Sequence, residues 1–337
     1  MKPRERVNAA LQHRQPDRVP RFEIWIDAVF DESGPADPAS AYVNLGQDCV
    51  MMPTENPAES NAWRDGIDEW GRVWRNGMFV DGVVETVADL ERYSPPLDYV
   101  EQLFDSDRIR EVRESHPDHC LIFGTHIGPF TAGYMAMGFE RFFLRLVDDA
   151  AFVQRLLAVR TEWCIAMYQK AASLGAEVLV LGDDAAHGGG PMISPSMWRR
   201  FILPCHRRIL DALDVPVIWH SDGNTEALLP MAIEAGFVGI HGVDVVAGMD
   251  LVKMKREYGQ SLVLVGNVDA RVLFGSDLEA VRGEVDRCIA QGAPGGGYMI
   301  SSCNSICEGM NAAAVAEMFR YAGEVGLYLP DARGLVV

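Results

Sequence analysis

Positive charge is scarce in this chain. Its 337 residues carry 30 lysines and arginines against 48 aspartates and glutamates, for a formal charge of −18. Sequence-independent nucleic-acid binding and docking on anionic lipid both rely on basic side chains, so neither is expected. Cysteine is sparse too: seven residues, an odd number without even spacing, which argues against a disulfide framework. No apolar run approaches the roughly 20 residues that span a bilayer, so a soluble protein without a membrane partner is expected. The start, Met1-Lys2-Pro3-Arg4-Glu5-Arg6, leads into an amphipathic helix where a secretory signal would have an apolar core. A reducing cytoplasm follows as the expected location, with Cys303 available as a thiolate. No Gly-x-Gly-x-x-Gly turn follows the first strand-like segment, and no Lys-Ser or Lys-Thr follows Gly188-Gly189-Gly190. Neither a dinucleotide site nor a phosphate cradle is therefore indicated.

What is present is a large core. With 48% hydrophobic and 23% charged residues, the chain is long enough to fold as one domain spanning 1–337 without staples. Residues 4–13 read as a helix, and Val19 to Ile26 as a first strand. The stretches 31–40 and 53–62 are rich in Pro, Ser, Asp and Asn and read as loops. Between Asp68 and Val80 an Asn76-Gly77 pair separates alternating apolar positions, which predicts a β-hairpin placed as an excursion over the barrel mouth. From residue 120 apolar strands alternate with amphipathic helices: Cys120 to Gly124, Glu177 to Leu181, Val215 to Trp219, Val238 to Ile240, Leu262 to Val265 and Tyr298 to Ser301. That alternation implies a parallel sheet covered on both faces, and about eight strands fit a (β/α)8 TIM barrel.

Polar residues recur at the C-terminal ends of these strands: Glu23, His126, Asp183, Asp184, His220, Asp222, His241, Asp244, Asn267, Asp269 and Cys303. In such a barrel that end is where chemistry is done. The most telling stretch is Val217-Ile218-Trp219-His220-Ser221-Asp222-Gly223-Asn224, an apolar run ending at an imidazole and a carboxylate two residues apart. With Cys303 beyond the last strand, these are zinc ligand types, and His220, Asp222 and Cys303 are the expected metal site. Competing readings exist for each: Asp222 as a helix cap, Cys303 as a small buried hydrophobe, Cys307 as a substitute ligand. Asp183 and Asp184 are paired carboxylates, one expected to act as an acid or hydrogen-bond partner and one to be structural. Asn267 is a candidate donor to a substrate oxygen, or a backbone clamp. Glu23, Trp25, His126, His187 and His241 are expected to contact substrate, His187 from a flexible glycine loop. Trp25 joins Trp70 and Trp74 as a candidate aromatic wall, although large aromatics more often pack core.

A series of short segments in order resembles the uroporphyrinogen decarboxylase superfamily, and within it the cobamide-dependent methyltransferases. They are Arg4-Glu5-Arg6-Val7, Asp17-Arg18-Val19-Pro20, Gly128-Pro129-Phe130, Gly182-Asp183-Asp184, Pro191-Met192-Ile193-Ser194-Pro195, His220-Ser221-Asp222-Gly223-Asn224, Gly248-Met249-Asp250, Gly266-Asn267-Val268-Asp269 and Gly295-Gly296-Gly297-Tyr298. The resemblance implies the barrel fold, a corrinoid protein as partner and a homodimer. The decarboxylases of that family hold porphyrinogen carboxylates with an Arg-Gln-Ala-Gly-Arg segment after the first strand. Here the region reads Phe22-Glu23-Ile24-Trp25-Ile26-Asp27-Ala28, without an arginine, so a polycarboxylate would be repelled. The zinc-dependent methyltransferases use a His-x-Cys pair and a later cysteine. This chain keeps His220 and offers Cys303, but has Asp222 where the first cysteine would be. The expected function is thus zinc-dependent transfer of a methyl group between a small methylated substrate, O-methyl favoured, and a corrinoid protein. The alternatives are a metal-free decarboxylase or lyase acting on a small carboxylate, and a non-catalytic cobamide binder.

Overall fold

The computed structural model describes residues 1–27, 39–54, 65–125 and 127–328. Seven parallel strands form its main sheet in the order β1 (Cys49–Met51), β5 (Cys120–Thr125), β6 (Val178–Gly182), β9 (Val217–His220), β10 (Gly239–His241), β11 (Val263–Val265) and β12 (Tyr298–Met299). Nearly every residue of these strands is buried, as continuous Val/Leu/Ile runs require when helices cover the outer face. The sheet curls, and the extended segment around Arg21 lies between its two edges. On one side Phe22 N–H donates to the Ile300 carbonyl at 2.9 Å and Ile300 N–H to that of Pro20 at 2.9 Å. On the other, Asp48 N–H donates to the Arg21 carbonyl at 2.8 Å. The expected first strand is thus present as the eighth stave, an extended segment with single bridges to Ile300 and Ile306. Pro20, which has no N–H to give, limits its ladder. The fold is the expected α/β barrel, with Cys49–Met51 as a strand the sequence reading did not include.

The first helix, Pro3–Leu11, is tied to this seam by Arg6. Its guanidinium donates to Asp17 at 2.6 Å and to the fully buried Asp48 at 2.9 Å, and Asp48 in turn accepts the Arg21 N–H at 2.9 Å.

The hairpin forms between β3 (Arg72–Arg75) and β4 (Met78–Gly82), with β2 (Gly66–Ile67) on the other side of β3, and with Asn76 and Gly77 at φ 50° and 73°. Two positive φ values are what a tight turn matching the strand twist needs. Asp68 anchors the base, accepting Trp70 and Arg72 N–H at 2.9 Å each, Arg72 Nε at 2.6 Å and Trp74 Nε1 at 2.8 Å. The hairpin docks on the helix Pro129–Met137 that follows β5, so closely that a Cβ at Gly82 would sit 2.3 Å from the Ala136 carbonyl. Backbone against backbone cannot yield as a side chain can. Gly82→Ala is therefore expected to cost about 1–3 kcal/mol in urea unfolding, and an unchanged midpoint would refute this docking. Among the described residues, no helix is long and apolar enough to cross a membrane.

Candidate metal centre

Three side chains converge at the C-terminal end of β6 and β9. His220 is the last residue of β9; Asp184 and Asp222 each follow a strand by two residues. Register places Gly182 opposite His220, so the two post-strand loops start side by side. Asp222 N–H then donates to Asp184 Oδ1 at 3.1 Å, fixing that carboxylate. His220 Nε2 lies 4.0 Å from Asp184 Oδ1 and 3.7 Å from Asp222 Oδ1. Ligand atoms of all three lie within 4.8 Å of one another, the one such trio found among the described residues.

The donor set fits a cation. Two ligands held at about 2.1 Å from one zinc ion at tetrahedral angles are roughly 3.4 Å apart, close to the spacing seen. Burial lowers the His220 pKa, with the Asp222 charge opposing it, so the imidazole is kept neutral as a ligand must be. Burial also raises Asp184 to about 6, against the hydrogen bond from Asp222 N–H and with help from the Asp183 charge. The Asp222 carboxyl is raised as well, first by burial, although the His220 and Asn304 contacts pull the other way. Two carboxyls reluctant to ionise side by side are a pair that a divalent cation would relieve.

Cys303 is not a member of the trio. Ser302, just before it, is turned inward by its bonds to Glu23, and Cys303 N–H donates to the Val268 carbonyl at 2.8 Å. Burial pushes its thiol up to about 11, so it is uncharged near neutral pH. It is the next residue, Asn304, that reaches the site: its amide donates to both oxygens of Asp222 at 2.9 Å. In the grouping of ligand atoms, Asp184 and not Cys303 joins His220 and Asp222. Cys307 is exposed.

The two adjacent aspartates point opposite ways, as consecutive residues leaving a strand do. Asp183 is fully buried, accepts Thr131 N–H at 2.7 Å and Phe130 N–H at 3.3 Å, and lies 2.7 Å from His206 Nε2. Asn267 has both ends of its amide engaged, Nδ2 with the Val243 carbonyl at 2.9 Å and Oδ1 with Arg287 at 3.3 Å. Asp244 accepts Val246 and Ala247 N–H, and Asp269 accepts Arg271 N–H, so both cap turns.

Among the residues expected to contact substrate, Trp25 stands edge-on to His220 with ring centroids 4.8 Å apart. Trp70 and Trp74 are buried elsewhere, against Trp163 and Phe79. His187 is exposed on a short hairpin, β7 (Ala186–His187) with β8 (Gly190–Pro191), a defined turn where a flexible loop was expected. Asn224 N–H donates to the His187 carbonyl at 3.0 Å, and a Cβ on Gly223 would come within 2.6 Å of His187 N, so the hairpin rests on that glycine. His126 lies outside the described residues. His241 is fully buried behind His220, and Glu23 is fully buried beside Ser302.

Glu23 accepts Ser302 N–H at 2.9 Å and the Ser302 hydroxyl at 3.0 Å, yet burial outweighs these bonds and raises its carboxyl to about 7. A folded-state value above the unfolded one stabilises the fold below the ordinary glutamate range and loses that contribution as pH rises through about 7. The loss amounts to about 3 kcal/mol. Glu23→Gln is expected to flatten the decline in unfolding free energy between acid and mildly alkaline pH. Parallel pH profiles for variant and wild type would contradict it.

Residues 75–325 match the family described as Uroporphyrinogen decarboxylase (URO-D). A methylated-thiol–coenzyme M methyltransferase of Methanosarcina mazei is 27% identical over 186 residues, covering 55% of this chain and 49% of that protein. A uroporphyrinogen decarboxylase of Alkalilimnicola ehrlichii is 26% identical over 238 residues, 67% of this chain and 63% of that protein. The matched part of the chain thus spans about half to two thirds of these relatives. A solved methyltransferase from Methanosarcina mazei superposes with a TM-score of 0.77 at 21% identity, covering 96% of this chain and 99% of that one, which shows the shared fold.

Proposed function

Because the chain belongs to the uroporphyrinogen decarboxylase family, whose relatives here include methyltransferases and decarboxylases, we propose that it is a methyl-transferring member that uses zinc. The observation that carries this reading is the trio of Asp184, His220 and Asp222. These three residues would hold the ion, with one position left for substrate. When bound, the ion would supply a Lewis acid to a substrate oxygen. Two carboxylates and an imidazole form a hard donor set, which favours an O-methyl substrate over a thiol. Asn304 holds Asp222 in place, Asp222 N–H holds Asp184, and the edge of Trp25 flanks the imidazole. The methyl acceptor would be a Co(I) corrinoid on a partner protein. A homodimer is proposed on family resemblance alone, and a cytoplasmic location on the odd, unevenly spaced cysteines.

A second reading has one observation in its favour. With its carboxyl at about 6, Asp184 is placed to act as an acid in a metal-free lyase or decarboxylase. No arginine accompanies it at the first stave: Arg21 donates outward, to the Phe319 carbonyl at 3.2 Å.

The test is elemental analysis of protein purified without chelator, followed by incubation with Co(I) cobalamin and a methoxylated arene. Stoichiometric zinc with formation of methylcobalamin is expected. Absence of metal together with carbon dioxide release from a small carboxylate would favour the lyase. Cobalamin binding without turnover would indicate a non-catalytic barrel.

A further inference from the structure

Where the base of the hairpin meets the helix Ala150–Ser173, a guanidinium is buried with more hydrogens than acceptors to take them. Arg160 is 2% exposed. Its Nη2 donates to the Trp70 carbonyl at 3.1 Å and to the Tyr93 carbonyl at 3.0 Å, and its Cζ lies 4.8 Å from the centroid of the Trp70 ring. Nε and Nη1 of Arg160 are buried without a hydrogen-bond partner, and so is the indole Nε1 of Trp70. A buried donor left unmatched costs about 1–3 kcal/mol, and more when it is charged.

Charge adds to the imbalance. The carboxylate acting on Arg160 is that of Asp68, which is already engaged by Arg72 Nε at 2.6 Å and Trp74 Nε1 at 2.8 Å. Burial lowers the Arg160 pKa to about 9, with the Arg72 charge adding to the fall and Asp68 opposing it, so the group is still a cation at neutral pH. Arg160 and Trp70 line one cavity, in which the centre of a water-sized sphere has about 20 Å³ to move. One water needs roughly 10–15 Å³, so a single ion of that size fits and a larger organic anion does not. Every residue around the cavity except Ala132 is buried.

The side chains around it offer hydrogens and no strong acceptor. Arginine and tryptophan only donate; Ile127, Ala132 and Met167 are apolar, and the Cys164 thiol donates to the Ile127 carbonyl at 3.5 Å. A water would find donors for its lone pairs but no side chain to take its own hydrogens. An anion needs donors alone. We propose that this cavity is a halide site, in which Arg160 and Trp70 hold one chloride ion that pins the hairpin to the helix Ala150–Ser173. The site shares no residue with the Asp184, His220 and Asp222 trio, so it stands apart from the metal-centre reading. In a chain of formal charge −18 general attraction of anions is disfavoured, and a specific anion effect stands out.

The experiment is thermal unfolding with chloride replacing gluconate at constant ionic strength, so that screening is unchanged and the second anion is too large for the cavity. Wild-type Tm is expected to climb by about 2 °C for each tenfold rise in chloride above its Kd. Trp70→Phe keeps the ring and removes the indole donor; it is expected to move that climb to about 10-fold higher chloride. Arg160→Gln is expected to abolish it. Crystals grown in sodium bromide locate the ion by anomalous scattering, and a peak beside Arg160 in the cavity is expected. Equal Tm in chloride and gluconate would overturn the proposal, as would a bromide peak found only elsewhere or a water in its place. If Arg160→Gln does not fold, the wild-type titration, Trp70→Phe and the bromide peak still decide it.

Discussion

Asp183→Ala is expected to destabilise the protein by about 3–5 kcal/mol, the range for removing one partner of a buried, hydrogen-bonded pair. The carboxylate is fully buried between the helix Pro129–Met137 and His206, and it satisfies two N–H groups at the start of that helix. Alanine would leave those two amides and the His206 ring without their partner in a space closed to water. A Cβ at Gly128 would lie 2.3 Å from the Asp183 Cβ, so the backbone comes too close to shift a substitute into place. Asp183→Asn keeps one acceptor and is expected to cost less than alanine. Urea unfolding of the two variants measures this, and a loss below about 1 kcal/mol for alanine would mean the clamp contributes no more than an ordinary hydrogen bond.

Asp184→Asn and Asp222→Asn are expected to do the opposite: leave the fold nearly intact and empty the site. Each exchanges a carboxylate for an amide of the same shape at a partly exposed position. Changes to the outer partners of a metal ligand already cost about 10- to 100-fold in affinity, so loss of a ligand is expected to cost more than about 100-fold. Methyl transfer to cobalamin should fall in step. Chelator competition and turnover, run beside unfolding curves, separate this from misfolding. Either variant binding zinc like the wild type would remove that residue from the metal centre. The adjacent aspartates would then differ in kind, one measured by stability and the other by affinity.

The main-sheet strands from residue 120 onwards were legible because each is a continuous apolar run bounded by turns, and the observed limits differ from the expected ones by at most two residues. Cys49–Met51 was not, since three residues after Gln47-Asp48 carry no periodicity. Its place in the sheet is set by pairing with Cys120–Ile122, far along the chain. At the candidate site, the closeness of His220 and Asp222 could be read from their position at the end of an apolar run. The grouping of Asp184 with them could not, because it depends on the register that sets Gly182 opposite His220. For the same reason Asn304 and His206 gave no signal. Each is an ordinary polar residue until register brings its partner alongside.

The seam at Arg21 has a consequence for how such a protein comes off the ribosome. Glu23 emerges early, but its partner Ser302 is among the last pieces of the barrel to be synthesised. A nascent chain stopped after β11 would carry Asp184, His220 and Asp222 yet leave Glu23 without Ser302 and the first stave without its bridge to Ile300. Long-range closure of this kind is slow and late, so a prematurely released product would hold the three candidate ligands on an unclosed barrel.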